Sequence, residues 1–234
     1  MLNFQRERIK MFSSYINVLK KCPLFDNIAP DDIVRILTCF GAKVEHFDKK
    51  YTVFAEGYPA KHLGIVLSGS VQVTQVDYYG NRNILSVMGS SEIFAEAFAC
   101  VGIDSLPVSV VAGEPCEVLL IDRERILHTC AGNCEFHRQI IFNLMKDLAL
   151  KTIMFHQRID ITSKRTTRDK LLTYLTLQAK KSNSRSFDIP FDRQELADYL
   201  EVERSGLSAE ISKLRNEGVL ESTKNHFTLH GMDL

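Results

Sequence analysis

One stretch of the sequence has the layout of a phosphate-binding segment but lacks the charge that such a segment uses. Residues 94–112 read FAEAFACVGIDSLPVSVVA, which predicts a tight turn, Glu96, a short helical piece, a loop and a strand. A bound phosphate is held by cations and N–H donors, yet the stretch has no Arg or Lys, and Pro107 has no N–H to donate. The segment therefore predicts a pocket that disfavours anions.

A second group of residues has the spacing of a helix pair that reads DNA. DRQELADYL, from Asp192 to Leu200, predicts a short helix, and Asp192 with Glu195 three residues later matches the capping-box pattern. After two linking residues, a second helix keeps its apolar positions at i, i+4 and i+7, namely Leu207, Ile211 and Leu214. The small residue Ala197 suits a close helix crossing. Such a pair presents the start of its second helix to the DNA major groove.

The second helix supplies the candidate base-reading residues. Arg204 can pair with a guanine edge and Ser205 with either kind of base. The exposed positions predicted for this helix are Arg204, Ser205, Ser208, Ala209 and Ser212. VLESTKNHFTL then predicts a two-stranded wing, and the phosphate candidates are Arg193, Lys213 and Lys224 at the wing tip. The alternative is an all-helical connector in which Arg204 is merely solvated.

Helices and strands must position these residues, and the predicted secondary structure changes three times along the chain. Residues from about 13 to 42 predict helices, with Pro30, Asp31 and Asp32 at a helix start. From about 43 to 122, short β-branched runs separated by glycines predict an antiparallel barrel or roll. A long helical zone follows to about residue 160, and helices and a wing complete the chain.

The long helix carries an apolar stripe at near-heptad spacing. The stripe consists of Ile141, Leu144, Leu148, Phe155 and Ile159, with Lys151 at an interrupting position. Ile140, Met145 and Ile153 broaden it. It would pack either on the roll of its own chain or against a second copy. Because the stripe continues for several turns, we expect a two-helix seam in a homodimer.

Composition bounds the class of protein without deciding its partner. The 234 residues include 29 Lys and Arg and 29 Asp and Glu, so the net charge neither suggests nor excludes nucleic acid. No run of 18 apolar residues predicts a membrane span. The charged start, MLNFQRERIK, lacks the apolar region of an export signal, so we expect a cytoplasmic protein whose six cysteines are reduced.

Taken together, these motifs resemble the CRP/FNR superfamily of bacterial transcription regulators. The carrying residues are GYPAKHLGIVLSGSVQV, the Glu96 region, the long helix and FDRQELADYLEVERSGLSAEISKLRNEGVL. The resemblance implies an α+β chain: a double-stranded β-helix, or jelly-roll-like, sensor of the cyclic-nucleotide-binding type over 1–122, a linker with the dimerisation helix over 123–162, and a winged helix-turn-helix over 163–234. It implies a cytoplasmic homodimer with double-stranded DNA and RNA polymerase as partners, and no enzymatic activity.

The resemblance gives a mixed result for the DNA-reading residues. Arg204 stands where the family has its guanine-reading Arg, and Ser205 stands where Glu is frequent. Ala209 replaces a second base-reading Arg of many members, so the operator does not follow from the sequence. Glu201 occupies a turn position usually taken by Gly, and a left-handed Glu there would cost about 1 kcal/mol relative to Gly.

In the sensor segment, the residues that would hold a cyclic nucleotide are replaced. The family pattern is Gly-Glu, a short helix and then Arg-Ser-Ala. Here Ala95 replaces Gly, Glu96 matches Glu, and the last three positions hold Leu106, Pro107 and Val108. We therefore expect that cyclic AMP and cyclic GMP do not bind tightly. The candidate effector-binding residues are Ala95, Glu96, Ala97, Leu106, Pro107 and Val108. They would bind a small apolar or aromatic effector, or Glu96 caps the short helix and the roll fills itself.

The sequence gives weaker or no signals for catalysis, metal binding, iron–sulfur clusters and haem. We assign no catalytic residue, no metal site and no cofactor, because no nucleophile, metal triad or Gly-rich phosphate loop is present. Cys22 and Cys39 are too few and too far apart for an iron–sulfur cluster. Seven histidines leave haem ligation open, and Cys130 and Cys134 form a weak metal pair. The alternative functions are a ligand-binding regulatory protein that acts through protein contacts and a thiol-responsive regulator that uses Cys100.

Overall fold

The computed structural model describes residues 2–79, 82–127 and 135–231, and the chain forms two compact units, residues 1–150 and 151–234. Cys130 and Cys134 lie outside the described residues. Within the described residues, no helix has both the length and the apolar character needed to cross a bilayer.

The first unit opens with helices and a single turn of 3-10 helix. They are α1 (Leu2–Ser14), α2 (Ile16–Leu19), the 3-10 turn (Pro23–Phe25) and α3 (Pro30–Cys39). The structure thus adds a helix N-terminal to the predicted start near residue 13. Pro30 occupies the first turn of α3 together with Asp31 and Asp32, which is the charge and backbone preference of a helix N-terminus.

Two four-stranded antiparallel sheets form the predicted roll. One has the order β1 (Lys43–Phe47), β8 (Cys116–Asp122), β3 (His62–Ser68) and β6 (Ile93–Phe94). The other has the order β2 (Thr52–Phe54), β7 (Ser109–Ala112), β4 (Val71–Val76) and β5 (Arg82–Met88). Between β6 and β7 lies α4 (Glu96–Val101), and α5 (Arg123–Leu127) follows β8. Apolar residues from both sheets, including Val66, Val71, Phe94, Val110 and Val118, form one core.

Polar contacts fasten the N-terminal helices to the roll. The Tyr15 hydroxyl donates to Glu117 Oε1 at 2.7 Å, and the Ser68 hydroxyl donates to Glu117 Oε2 at 2.9 Å. His46 Nε2 lies 2.7 Å from Glu117 Oε1. Burial and this hydrogen bond raise the pKa of Tyr15 to about 12. The bond from Tyr15 is the largest cause that lowers the pKa of Glu117.

The long helix is α6 (Glu135–Thr162). Ile140 and Leu144 are buried in the core that the N-terminal helices share with the roll. Asn143 Nδ2 donates to the carbonyls of Leu24 at 2.9 Å and Asp26 at 2.8 Å, which fixes the rotation of this part of the helix. Phe142 and Met145, on the other side of α6, are 56% and 57% exposed.

The second unit is a winged helix-turn-helix. Its elements are α7 (Thr167–Ser182), β9 (Ser186–Asp188), α8 (Arg193–Leu200), α9 (Arg204–Asn216), β10 (Leu220–Thr223) and β11 (His226–Leu229), with the strands in the order β10-β11-β9. Leu171, Tyr174, Leu196, Leu207 and Phe227 lie in one core. The α+β fold class, with an N-terminal roll, a long helix and a C-terminal helix-turn-helix, is therefore confirmed.

Candidate functional site

The first helix of the pair begins with the predicted capping box. Asp192 Oδ1 accepts hydrogen bonds from the backbone N–H groups of Gln194 at 2.7 Å and Glu195 at 2.8 Å. In return, the Glu195 carboxylate accepts from the Asp192 N–H at 2.7 Å. These bonds satisfy N–H groups that a helix N-terminus otherwise leaves without partners, and they define where α8 begins.

The turn between the two helices is left-handed at Glu201. Its backbone angles are φ 53° and ψ 56°, which is the left-handed conformation in which Glu is less favourable than Gly. Lys170 Nζ donates to the carbonyls of Leu200 at 3.1 Å and Glu201 at 3.3 Å. The lysine thereby satisfies carbonyls at the C-terminus of α8, where a positive charge is favourable. Sequence reasoning missed this role, since Lys170 lies about thirty residues earlier in the chain.

The second helix, α9, buries one face and exposes the other. Leu207, Ile211 and Leu214 are buried. The six predicted DNA-contacting residues on this helix are all exposed: Arg204, Ser205, Ser208, Ala209, Ser212 and Lys213. The Ser212 hydroxyl donates to the carbonyl of Ser208 at 3.0 Å. The exposed face is therefore built mainly of small side chains, which allows close approach of another molecule to the backbone.

Two arginines lie near the start of the helix pair. The Arg193 guanidinium carbon is 5.6 Å from the centroid of the Phe227 ring, and its Nη1 is buried without a hydrogen-bond partner among the described residues. Burial, followed by the nearby charge of Arg204, lowers the pKa of Arg193. An anion bound here would favour the charged form of Arg193, because it would pair with the buried guanidinium and relieve the repulsion from Arg204. Lys224 lies exposed at the turn between β10 and β11.

An ion-pair network connects α7 with α9. Arg168 Nη2 lies 2.6 Å from Glu217 Oε2, and Arg168 Nη1 lies 3.5 Å from Glu210 Oε1. The hydrogen bond from Arg168 is the largest cause that lowers the pKa of Glu217. Local patterning in the sequence carries no signal for this network, because its partners are separated by more than forty residues.

The C-terminal part of the long helix contacts the turn of the helix pair. The Arg158 guanidinium carbon lies 5.6 Å from the centroid of the Tyr199 ring, and Arg158 Nη2 lies 4.0 Å from Glu201 Oε1. Tyr199 also contacts the rings of Tyr174 and Phe191. Arg158 therefore connects the end of α6 to the same turn that Lys170 holds.

In the sensor roll, the phosphate-cradle layout is present without its cation. Ala95 has φ 60° and ψ 7° immediately before α4, which is a left-handed conformation that Gly would adopt at little cost. Glu96 is 7% exposed. The burial of Cys100 raises the pKa of its thiol, and the charge of Glu96 raises it further.

The six candidate effector residues do not all face inward. Leu106 and Val108 are buried together with Glu96, and Ala95 is half-buried. Ala97 and Pro107 are exposed. Four of the six predicted residues are therefore buried or half-buried.

Backbone hydrogen bonds join the loop that contains Leu106 to the loop between β2 and β3. Gly57 N donates to the Leu106 carbonyl at 2.9 Å, Leu106 N donates to the Tyr58 carbonyl at 2.9 Å, and Ala60 N donates to the Ile103 carbonyl at 3.0 Å. Beside this junction lies a groove of about 360 Å³ to which Leu106 contributes. The two loops form a preformed wall.

Comparison with known proteins places both units in one family. A model of the cyclic nucleotide-binding domain matches residues 44–133, and a model of the Crp-like helix-turn-helix domain matches residues 169–233. The first lies on the roll and the second on the helix pair and wing. The chain is a member of the CRP/FNR superfamily.

The curated relatives of this CRP/FNR protein match it in part. The CRP-like cAMP-activated global transcriptional regulator of Mycobacterium tuberculosis is 32% identical over 79 residues, 34% of this chain and 34% of that protein. Human cGMP-dependent protein kinase 2 is 26% identical over 213 residues, 90% of this chain but 27% of the kinase. The chain thus spans about a third or less of the length of these relatives.

A solved structure shares the fold. The c-di-GMP responsive global regulator CLP of Xanthomonas campestris superposes with a TM-score of 0.52 at 20% identity, covering 85% of this chain and 99% of that protein. At this identity the likeness supports the fold of the CRP/FNR family, and it does not carry a ligand across.

Within this CRP/FNR chain, the predicted seam residues occupy different faces of α6. Leu144 is 3% exposed and packs in the core of its own unit, and Leu148 is partly buried against the same core. We therefore remove these two residues from the predicted seam. Ile141 is half-buried, whereas Phe155 and Ile159 are 63% and 61% exposed. Five further apolar residues of α6 are more than half exposed, namely Phe142, Met145, Leu150, Ile153 and Met154. Of these, Met145 and Ile153 had been predicted to broaden the stripe.

Proposed function

We propose that the chain is a homodimeric, sequence-specific DNA-binding transcription regulator whose roll responds to a small effector other than a cyclic nucleotide. The observation that carries the proposal is the start of α9, where exposed Arg204 lies near half-buried Arg193 on a capped helix pair. Among the described residues, neither guanidinium group pairs with a carboxylate, and two neighbouring cations of this kind favour a polyanion.

In this proposal the DNA contacts divide into two classes. Arg204, Ser205, Ser208 and Ser212 face base edges, with Ala209 allowing close approach. Arg193, Lys213 and Lys224 contact phosphates, which fixes the position of the helix without reading sequence. The division is supported by the exposure of all these residues except half-buried Arg193.

We also place a homodimer seam on the exposed apolar face of α6. Phe142, Met145 and Ile153 are each more than half exposed, and residues at spacings of three and four share a helix face. With Ile141 and Ile159 they form a stripe that a second copy of the helix can cover. A dimer would present two copies of α9 to successive turns of DNA. We further propose RNA polymerase as a partner of the DNA-bound dimer.

The effector is proposed to be something other than cyclic AMP or cyclic GMP. The segment that would hold the cyclic phosphate has Leu106 and Val108 buried in its wall and no Arg or Lys. Burying a phosphodiester beside Glu96 without a cation costs several kcal/mol. The thiol-responsive alternative is disfavoured because burial, reinforced by Glu96, raises the pKa of Cys100 and reduces the reactive thiolate.

The experiment that tests the DNA-binding assignment is charge reversal at Arg204. An operator selected from random DNA by the wild-type protein is titrated by fluorescence anisotropy with Arg204→Glu and with Lys49→Glu, a matched charge change at an exposed position of the first unit. We expect Arg204→Glu to weaken specific binding by about two orders of magnitude and Lys49→Glu to leave it unchanged. Equal affinities for the two variants would show that the helix assignment is wrong.

Salt dependence separates this function from regulation through protein contacts alone. The logarithm of DNA affinity should fall linearly with the logarithm of salt concentration, and Lys224→Met should reduce the slope by about one. A protein that retains no salt-dependent DNA binding would favour the protein-contact alternative.

A further inference from the structure

The groove beside Leu106 has the features of a small-molecule site. Its volume of about 360 Å³ lies at the lower end of the range for ligand pockets, about 300–1,000 Å³. Of the six predicted effector residues, Leu106 lines this groove and Glu96 does not.

The walls of the groove are held in place without a ligand. Both backbone polar groups of Leu106 are bonded to the neighbouring loop, the N–H to the Tyr58 carbonyl and the carbonyl to the Gly57 N–H. Phe54, on the adjoining strand, packs against the ring of Phe94 with centroids 5.5 Å apart. Binding would therefore require little ordering of the backbone, which favours affinity.

The lining combines an apolar surface with positive charge. Val53, Phe54 and Leu106 supply the apolar part, whereas Lys61 and His62 supply basic groups. Among the described residues that line the groove there is no carboxylate. Lys61 is exposed and His62 is half-buried, and Tyr58, which also lines the groove, is 68% exposed.

This distribution of charge points to a ligand with one anionic end and an apolar body. Lys61 would pair with the anion while Tyr58 and the apolar residues cover a ring. We propose that the groove binds an aryl carboxylate and that this ligand is the effector of the proposed regulator. The second half of the proposal rests on the proposed function, whereas the binding site does not.

Binding is tested with phenylacetate and its uncharged isostere phenylacetamide on the full chain, by thermal shift and ligand-observed NMR. We expect phenylacetate to raise the melting temperature in a concentration-dependent way and phenylacetamide to have a much smaller effect. Lys61→Met should weaken phenylacetate binding by about fivefold. Lys49→Met, an exposed lysine outside the lining, should not.

Three results would overturn the site: no binding of phenylacetate, equal binding of the amide, or equal loss in the two lysine variants. The link to regulation is measured separately, as the change in operator affinity on adding phenylacetate. Lys49→Met should bind the operator, with and without phenylacetate, as the wild type does. If the wild type binds no DNA while phenylacetate still binds at Lys61, the proposed function fails and the site stands.

Discussion

The left-handed residue in the helix pair gives a sharp prediction about stability. Glu201 has φ 53°, a conformation that costs a residue with a Cβ about 1 kcal/mol or more relative to Gly. Its carboxylate gains little in return, because the contact with Arg158 spans 4.0 Å between side chains that are 45% and 61% exposed. A pair of this kind contributes about 0.5 kcal/mol or less. We therefore expect Glu201→Gly to stabilise the helix pair by about 0.5–1 kcal/mol.

A matched variant separates the backbone effect from the ion pair. Glu201→Ala removes the carboxylate but keeps the Cβ, so it should destabilise slightly, and Glu201→Gly should exceed it by about 1 kcal/mol. The bonds from Lys170 reach backbone carbonyls, so both variants retain them.

Because the chain has two compact units, a single unfolding midpoint would mix their stabilities. Hydrogen exchange of peptides from α8 and α9 measures the local opening free energy instead. Equal protection in the Gly and Ala variants would refute the argument from backbone strain.

Three further predictions follow from contacts in the two units. Asp192→Ala should lower the opening free energy of the helix pair by about 1 kcal/mol, seen as faster exchange in α8, because it removes one half of the capping box with Glu195. Tyr15→Phe should reduce the loss of stability at alkaline pH. Because the pKa of Tyr15 is raised from 10.0 to about 12, this group contributes fully to the free energy of unfolding below pH 10, and the contribution disappears as the pH rises toward 12. Urea midpoints of the first unit across this pH range measure the difference. Arg168→Met should weaken operator binding while leaving the helical circular dichroism unchanged, because it releases α9 from α7; unchanged affinity would mean that Glu210 and Glu217 do not position the helix.

Local sequence signals predicted the second unit well. The capping box, the apolar spacing of α9 and the wing turn depend on residues within one or two helical turns of one another, so short-range rules apply. The contacts of Lys170 and Arg168 join residues about thirty to fifty positions apart. No local pattern encodes such pairs, and only the folded chain brings them together.

The groove was missed for a related reason. Within the sensor predicted over residues 1–122, effector-binding residues were sought only in residues 94–112, which were compared with the family's phosphate cradle. Tyr58, Lys61 and His62 lie outside that segment, and their proximity to Leu106 depends on the hydrogen bonds between the two loops. The absence of a cation from residues 94–112 therefore gave no indication that Lys61 and His62 line the groove beside Leu106.

The long helix shows where periodicity alone cannot assign a role. An α-helix turns about 100° per residue, so Ile140, Asn143 and Leu144 share one face, and the core of the first unit covers it. Phe142 and Met145 project from the opposite face. Because α6 is apolar on both faces, residues on either face match a near-heptad spacing. The spacing alone therefore placed Leu144 in the predicted seam. The core of the first unit covers one face, and the exposed apolar face is the one that a second copy would cover in the proposed homodimer.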